Sequence, residues 1–106
     1  MGAGIAMVAS ARLQNPQLRF AILGACLSSN ARRIREAEGK ALAGRILGIR
    51  EASDETTKDC QHWKRDRGST TVSVNEIVLH TGLDHGYLYR PLLQWINPTA
   101  EWALAK

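Results

Sequence analysis

The sequence predicts a mainly α-helical single domain, and three observations lead there. Apolar residues recur at helical spacing along 31–49. Capping signals stand before two periodic stretches between residues 71 and 96. A glycine, Gly82, sits between those two stretches where a sharp reversal is needed. A chain of 106 residues is one domain with enough material for a modest core.

Residues 1–11 lack a basic start and carry only a short apolar run, so they read as a flexible arm rather than a secretory signal, with Met7 an alternative start. Asn15 followed by Pro16 opens a first helix, the asparagine capping and the proline pre-setting the first helical φ. Apolar side chains from Leu18 to Leu27 surround that helix almost completely, which places it in the core or at a dimer interface. Ser28, Ser29 and Asn30 end it and cap the next. Ala31 to Ile49 reads as the longest helix, with Ile34, Ala37, Ala41, Leu42, Ile46 and Ile49 on its apolar side and the pairs Arg32–Glu36 and Glu36–Lys40 at i,i+4 spacing. Gly39, Gly44 and Gly48 within it either allow close helix contact or mark breaks.

The polar stretch 53–67 begins Ser-Asp-Glu, which suits a helix N-terminus, and reads as a short solvated helix with Cys60 and Trp63 inward. Thr70 to Val74 leaves room for one short β-strand pair. Ser73 and Glu76 then form a capping box, and Val72 with Ile77 closes a hydrophobic staple, so a helix is expected from Ser73 to Thr81. Past Gly82, Asp84 caps a second helix that turns Leu88, Leu92 and Trp95 inward. Its free side carries Arg90 and Leu93, flanked by Tyr87 and Tyr89, with His85 in the first turn. Pro91 kinks this helix, or one helix ends at Arg90 and another starts at Pro91. A terminal turn is expected from Thr99 to Ala105.

Ile77 to Leu92 resembles the helix-turn-helix family, and HTGLDHGYLYRPL is similar to the turn and recognition helix of tetracycline-repressor-type regulators. The resemblance spans about two dozen residues and rests on Ile77, Gly82, Leu83 and Leu88. It implies a helical domain over 12–106 with a C-terminal helix-turn-helix at 73–96, in which His85, Tyr87, Tyr89 and Arg90 face a major groove. Lys64, Arg65 and Arg67 then hold phosphates, and Ser73 lies at the entry to the motif.

A net charge of +4 agrees with an anionic partner, while 44% hydrophobic and 23% charged residues exclude a disordered chain. No apolar run reaches the roughly 18 residues of a membrane span. Two cysteines are too few for a disulfide framework, and Cys26 in an apolar run reads as a buried thiol of a cytoplasmic protein. Cys60, His62, His80 and His85 match no zinc spacing, so neither metal nor cofactor is expected. No Ser-His-Asp pattern or paired carboxylates suggest an enzyme. The expected function is therefore a small transcriptional regulator binding double-stranded DNA, as a homodimer if it reads two half-sites. The alternative is a phage- or mobile-element-type adaptor that docks Tyr87, Tyr89, Arg90 and Leu93 on another protein.

Overall fold

A computed structural model describes residues 2–24, 28–55, 60–64, 72–90 and 92–105, and within them all side chains but those of Gly2, Ala3, Ser28, Ser29, His62, Tyr87, Leu88 and Tyr89. The expected mainly α domain is overturned: the core is a sheet of three parallel strands, β1 (Arg19–Leu23), β2 (Gly44–Glu51) and β3 (Val72–Leu79), side by side in that order. Helices α1 (Gly2–Leu13), α2 (Ser28–Glu38) and α3 (Leu93–Leu104) cover the sheet, with short 3-10 segments at Cys60–Trp63 and Asp84–Tyr89.

The strands form where β-branched and apolar residues run together and can pack on both faces of the sheet. Val72 and Val74 on β3 and Ile46 on β2 point to one face, with Ile22 of β1, against Met7, Ala31 and Trp63. Leu47, Ile49, Ile77 and Leu79 point to the other, against Leu92, Trp95 and Trp102 of the α3 region. Successive strand side chains alternate between faces, and a parallel sheet must bury both. The central strand β2 accordingly carries one of the densest apolar runs in the chain, with Ile46, Leu47 and Ile49 all 3% exposed or less.

This arrangement replaces each expected helix that it crosses. Residues 2–11 of the segment expected as a loose arm lie in α1, where Met7, Ser10 and Ala11 are buried, and Met1 lies outside the described residues. The Ser10 hydroxyl donates to the Ala43 carbonyl at 2.5 Å and accepts from the Ala43 amide at 3.0 Å, tying α1 to the chain just before β2. The helix expected after Pro16 is β1. The long helix expected over 31–49 is two elements, because Gly39 takes φ +70° and ends α2, and Gly44 takes φ +100° and starts β2. Both lie in the region that glycine adopts without steric cost.

The helix-turn-helix is absent because its first helix is a strand. Ser73 is an exposed residue of β3 and not an N-cap. Glu76 does not close a capping box; its Oε1 accepts from Arg50 Nε of β2 at 3.0 Å and from the Cys60 amide at 2.8 Å. Val72, Val74, Ile77 and Val78 lose rotamer freedom in a helix and pack well on a pleated surface, so β pairing prevails over the capping signal. Gly82 does turn the chain, at φ +74°. Beyond that turn the chain forms the short 3-10 segment Asp84–Tyr89 and then α3, with Pro91 outside the described residues.

Cys60 and Trp63 are fully buried, as their inward placement anticipated. Cys60 is also disulfide-bonded, which the expectation of no disulfide framework did not foresee. Two cysteines make no framework, yet one bond needs only that the fold bring two sulfurs together, and sequence spacing does not reveal that. Cys26 lies outside the described residues.

On the opposite side, Arg19 closes α3 onto the sheet edge. Its Nη1 donates to the carbonyls of Trp102 at 2.9 Å and Ala103 at 2.8 Å, and the guanidinium lies 6.0 Å from the Trp102 ring centroid. Carbonyls of the last helical turn have no partner within the helix, so a cation there satisfies them and complements the helix dipole.

Gly44 offers a direct test of this packing. A Cβ at that position would lie 2.9 Å from the Leu18 carbonyl oxygen and 3.1 Å from a Phe20 ring carbon. Gly44→Ala is expected to destabilise the fold by about 2 kcal/mol or more, combining backbone strain with overpacking, as read by the midpoint of urea unfolding.

Candidate active site at the strand ends

β2 and β3 end side by side, Glu51 opposite Leu79, and the segments leaving them face one another. Glu51 is 1% exposed and lies between the two. One carboxylate oxygen accepts from the Ser53 amide at 2.8 Å and the Ser53 hydroxyl at 2.7 Å. The other accepts from the Thr81 amide at 2.6 Å and from the Thr81 hydroxyl. Burial alone raises a carboxyl pKa, but these four donors, from the Thr81 and Ser53 side chains and backbones, outweigh it and hold Glu51 at about 2.

The clamp extends one bond further. Ser53 Oγ, while donating to Glu51, accepts from the Asp84 amide at 3.1 Å. That bond helps hold Asp84 at φ +52°, a left-handed conformation that aspartate tolerates better than most residues. Asp84 opens the 3-10 segment, and its neighbour His85 is thereby aimed back at the β2 side. His85 Nδ1 lies 2.7 Å from Asp54 Oδ2.

The two partners differ sharply in environment. The Asp54 side chain is 3% exposed and that of His85 49% exposed. A buried carboxylate beside Nδ1 favours the tautomer with the proton on Nδ1, which leaves Nε2 as a proton acceptor on the half-exposed side of the ring. A depression of about 390 Å³ is lined by Ser53, Asp54, Glu55, Asp84 and His85. It stands at the carboxyl ends of parallel strands, where open α/β sheets bind their ligands. No group of three or more metal-ligating side chains occurs among the described residues.

Of the residues expected to face DNA, the side chains of Lys64, Ser73, His85 and Arg90 are described, and they lie on different parts of the fold. Lys64 is exposed after the 3-10 segment that packs on the α2 side of the sheet. Ser73 lies near the amino end of β3, whereas His85 and Arg90 lie beyond its carboxyl end. Arg90 is exposed, its carbonyl accepting from Trp95 Nε1 at 3.2 Å and the Leu92 amide at 2.8 Å. Arg65 and Arg67 lie outside the described residues, as do the side chains of Tyr87 and Tyr89. Of those whose side chains are described, His85 alone lines the depression.

Asp54, Ser53, Glu51 and Thr81 escape a sequence reading that makes 53–67 a helix start. The signal available was GRILGIRE followed by Ala-Ser-Asp: read as a buried strand, it puts a carboxylate at the strand end, where a site is built. Comparison with protein-family models, with curated proteins and with solved structures finds no match to this chain.

Because the folded pKa of Glu51, about 2, is below its ordinary 4.5, its stabilisation is complete above roughly pH 5 and is lost as pH falls toward 2. Acid titration followed by circular dichroism should show this loss. Glu51→Gln, which turns a two-oxygen acceptor into a group with one, is expected to cost about 2–4 kcal/mol at pH 7. Much of the difference from the parent should vanish near pH 2.

Proposed function

We propose that this protein is a small acid–base catalyst that hydrolyses a compact polar substrate bound at the ends of β2 and β3. The observation that carries this reading is the 2.7 Å contact between a buried Asp54 and a half-exposed His85. Imidazole is the side chain most used for general acid–base work, and a buried carboxylate on Nδ1 fixes its tautomer and orientation. His85 Nε2 removes a proton from water as the water oxygen bonds to the substrate carbonyl carbon. The same proton then passes to the departing oxygen or nitrogen, which restores neutral imidazole.

Ser53 is not the nucleophile of this scheme. Its hydroxyl donates to Glu51 and accepts from the Asp84 amide, so it is engaged in holding the loops. Water is therefore the attacking group, without a covalent intermediate.

The expected reading of double-stranded DNA has lost the helix pair that was to enter the groove. His85, its one candidate in the site, is surrounded by Asp54, Glu55 and Asp84, whose charges oppose phosphate. As for compartment, among the described residues no helix is long and apolar enough to cross a membrane. The disulfide at Cys60 supports an oxidising compartment over the cytoplasm.

The test is turnover of a panel of small esters, amides and lactones by the purified chain. At least one member should be hydrolysed, with His85→Ala slowing it by about 10²–10⁴-fold and Asp54→Asn by about tenfold or more. A panel left untouched, or a rate unchanged in His85→Ala, would overturn the reading.

A further inference from the structure

Helix α3 is apolar on two sides. Trp95 and Trp102, with Leu92 just before the helix, pack inward on the sheet. On the outer side Leu93 is 65% and Leu104 83% exposed, and Asn97 and Ala100 between them are exposed too. At 3.6 residues per turn these four fall within about 60° of one another, in one stripe along the helix. The outer face of a surface helix is ordinarily charged and polar, yet of the twelve residues of α3 Glu101 alone carries a charge.

We propose that this face is the interface of a symmetric dimer, in which α3 packs antiparallel against α3 of a second copy. Leu93, Asn97, Ala100 and Leu104 are separated by four, three and four positions, a spacing that reads the same in both directions. Reversing one helix against the other therefore sets Leu93 on the second copy's Leu104 and Asn97 beside its Ala100, each contact made twice, as a two-fold axis requires. The charges agree with this direction. Glu101 is exposed in the last turn of α3, the negative end of the helix dipole, where a carboxylate is disfavoured. The first turn has no acidic residue, and Leu92 at the N-cap provides no side-chain cap. Antiparallel packing brings Glu101 of each copy to the uncapped amino end of the other's helix, next to Gln94, which lies on the same flank of the stripe and whose amide can donate to it. A parallel pair would set like dipole ends together and leave both copies of Glu101 at the carboxyl end. A twelve-residue helix is about 18 Å long, so the pair buries less than the roughly 800 Å² per partner of a standard interface, and the dimer is a weak one.

Sedimentation equilibrium of the full chain, from about 10 µM to about 1 mM, should show reversible dimerisation with a Kd of about 10⁻⁴ M. Leu93→Asp, Leu104→Lys and Glu101→Lys should each weaken it by about tenfold. All three positions are exposed and each new charge suits its own end of the helix dipole, so circular dichroism should report an unchanged fold. Direction is read by oxidising an equimolar mixture of Leu93→Cys and Leu104→Cys, with no free cysteine among the described residues to compete. The mixture should crosslink about tenfold faster than either variant alone, because the two positions face each other only when the helices run oppositely. Four results would each overturn the proposal. They are a chain still monomeric at about 1 mM, a dimer indifferent to all three charge substitutions, faster crosslinking of either variant by itself, and a monomer that cosediments with phosphatidylcholine vesicles unless Leu104 is replaced.

Discussion

The Glu51 carboxylate is the constraint on which this molecule turns. A lone ionised carboxylate in an apolar interior carries a large desolvation penalty, so it survives only with its oxygens fully engaged. Here the engagement comes from Ser53 on the segment leaving β2 and Thr81 on the segment leaving β3, each through both amide and hydroxyl. Charge-assisted bonds are about twice as strong as neutral ones, and four converging on one group make its position costly to change. Two loops that share, among the described residues, only the Ala52 amide to Leu79 carbonyl backbone bond are thereby held together.

That clamp has value only because the sheet delivers the two strand ends to the same place. Gly44 beside Val72 and Glu51 beside Leu79 run in register for the full length of β2, so the strands finish together. The register follows from burial on both faces, since a shift by one residue would exchange Val74 and Ile46 for the residues now packed under α3. Arg50 to Glu76 adds a cross-strand tie, and Glu76 also anchors the Cys60 segment through its amide. By contrast, the Arg12–Glu38 pair joins α1 to α2 at the surface. There the two groups shift each other's pKa apart, chiefly through their hydrogen bond, while solvent screens the energy.

Several elements were legible in the sequence for good physical reasons. Gly82 marked a reversal, the inward side of Cys60 and Trp63 was readable, and an interruption near Pro91 separates the 3-10 segment from α3. The sheet was not legible, because a strand buried on both faces shows no alternation and short apolar runs fit either period. Ile46 and Ile49 continue a helical stripe from Ile34 as well as they make a strand, and only the backbone at Gly39 and Gly44 separates the two. Ser73 and Glu76 stand at capping-box spacing, yet Glu76 found partners distant in sequence, Arg50 and the Cys60 amide. The site shared this fate. Asp54 and His85 are 31 positions apart, and nothing local couples them; they meet through a clamp whose central member ends a strand that the sequence presented as a helix.

Stability and the geometry of the candidate site are therefore joined in one chain of bonds, from Glu51 through Ser53 to the Asp84 amide and so to the segment bearing His85. The order of acidities along it matters. Glu51, held at about 2, keeps its charge from roughly pH 5 upward, so the clamp does not change state across that range. A clamp built on a carboxyl titrating near neutrality would loosen whenever the surrounding pH favoured proton transfer. By surrounding Glu51 with four donors, the fold keeps the bonds that lead to the His85 segment unchanged across that range.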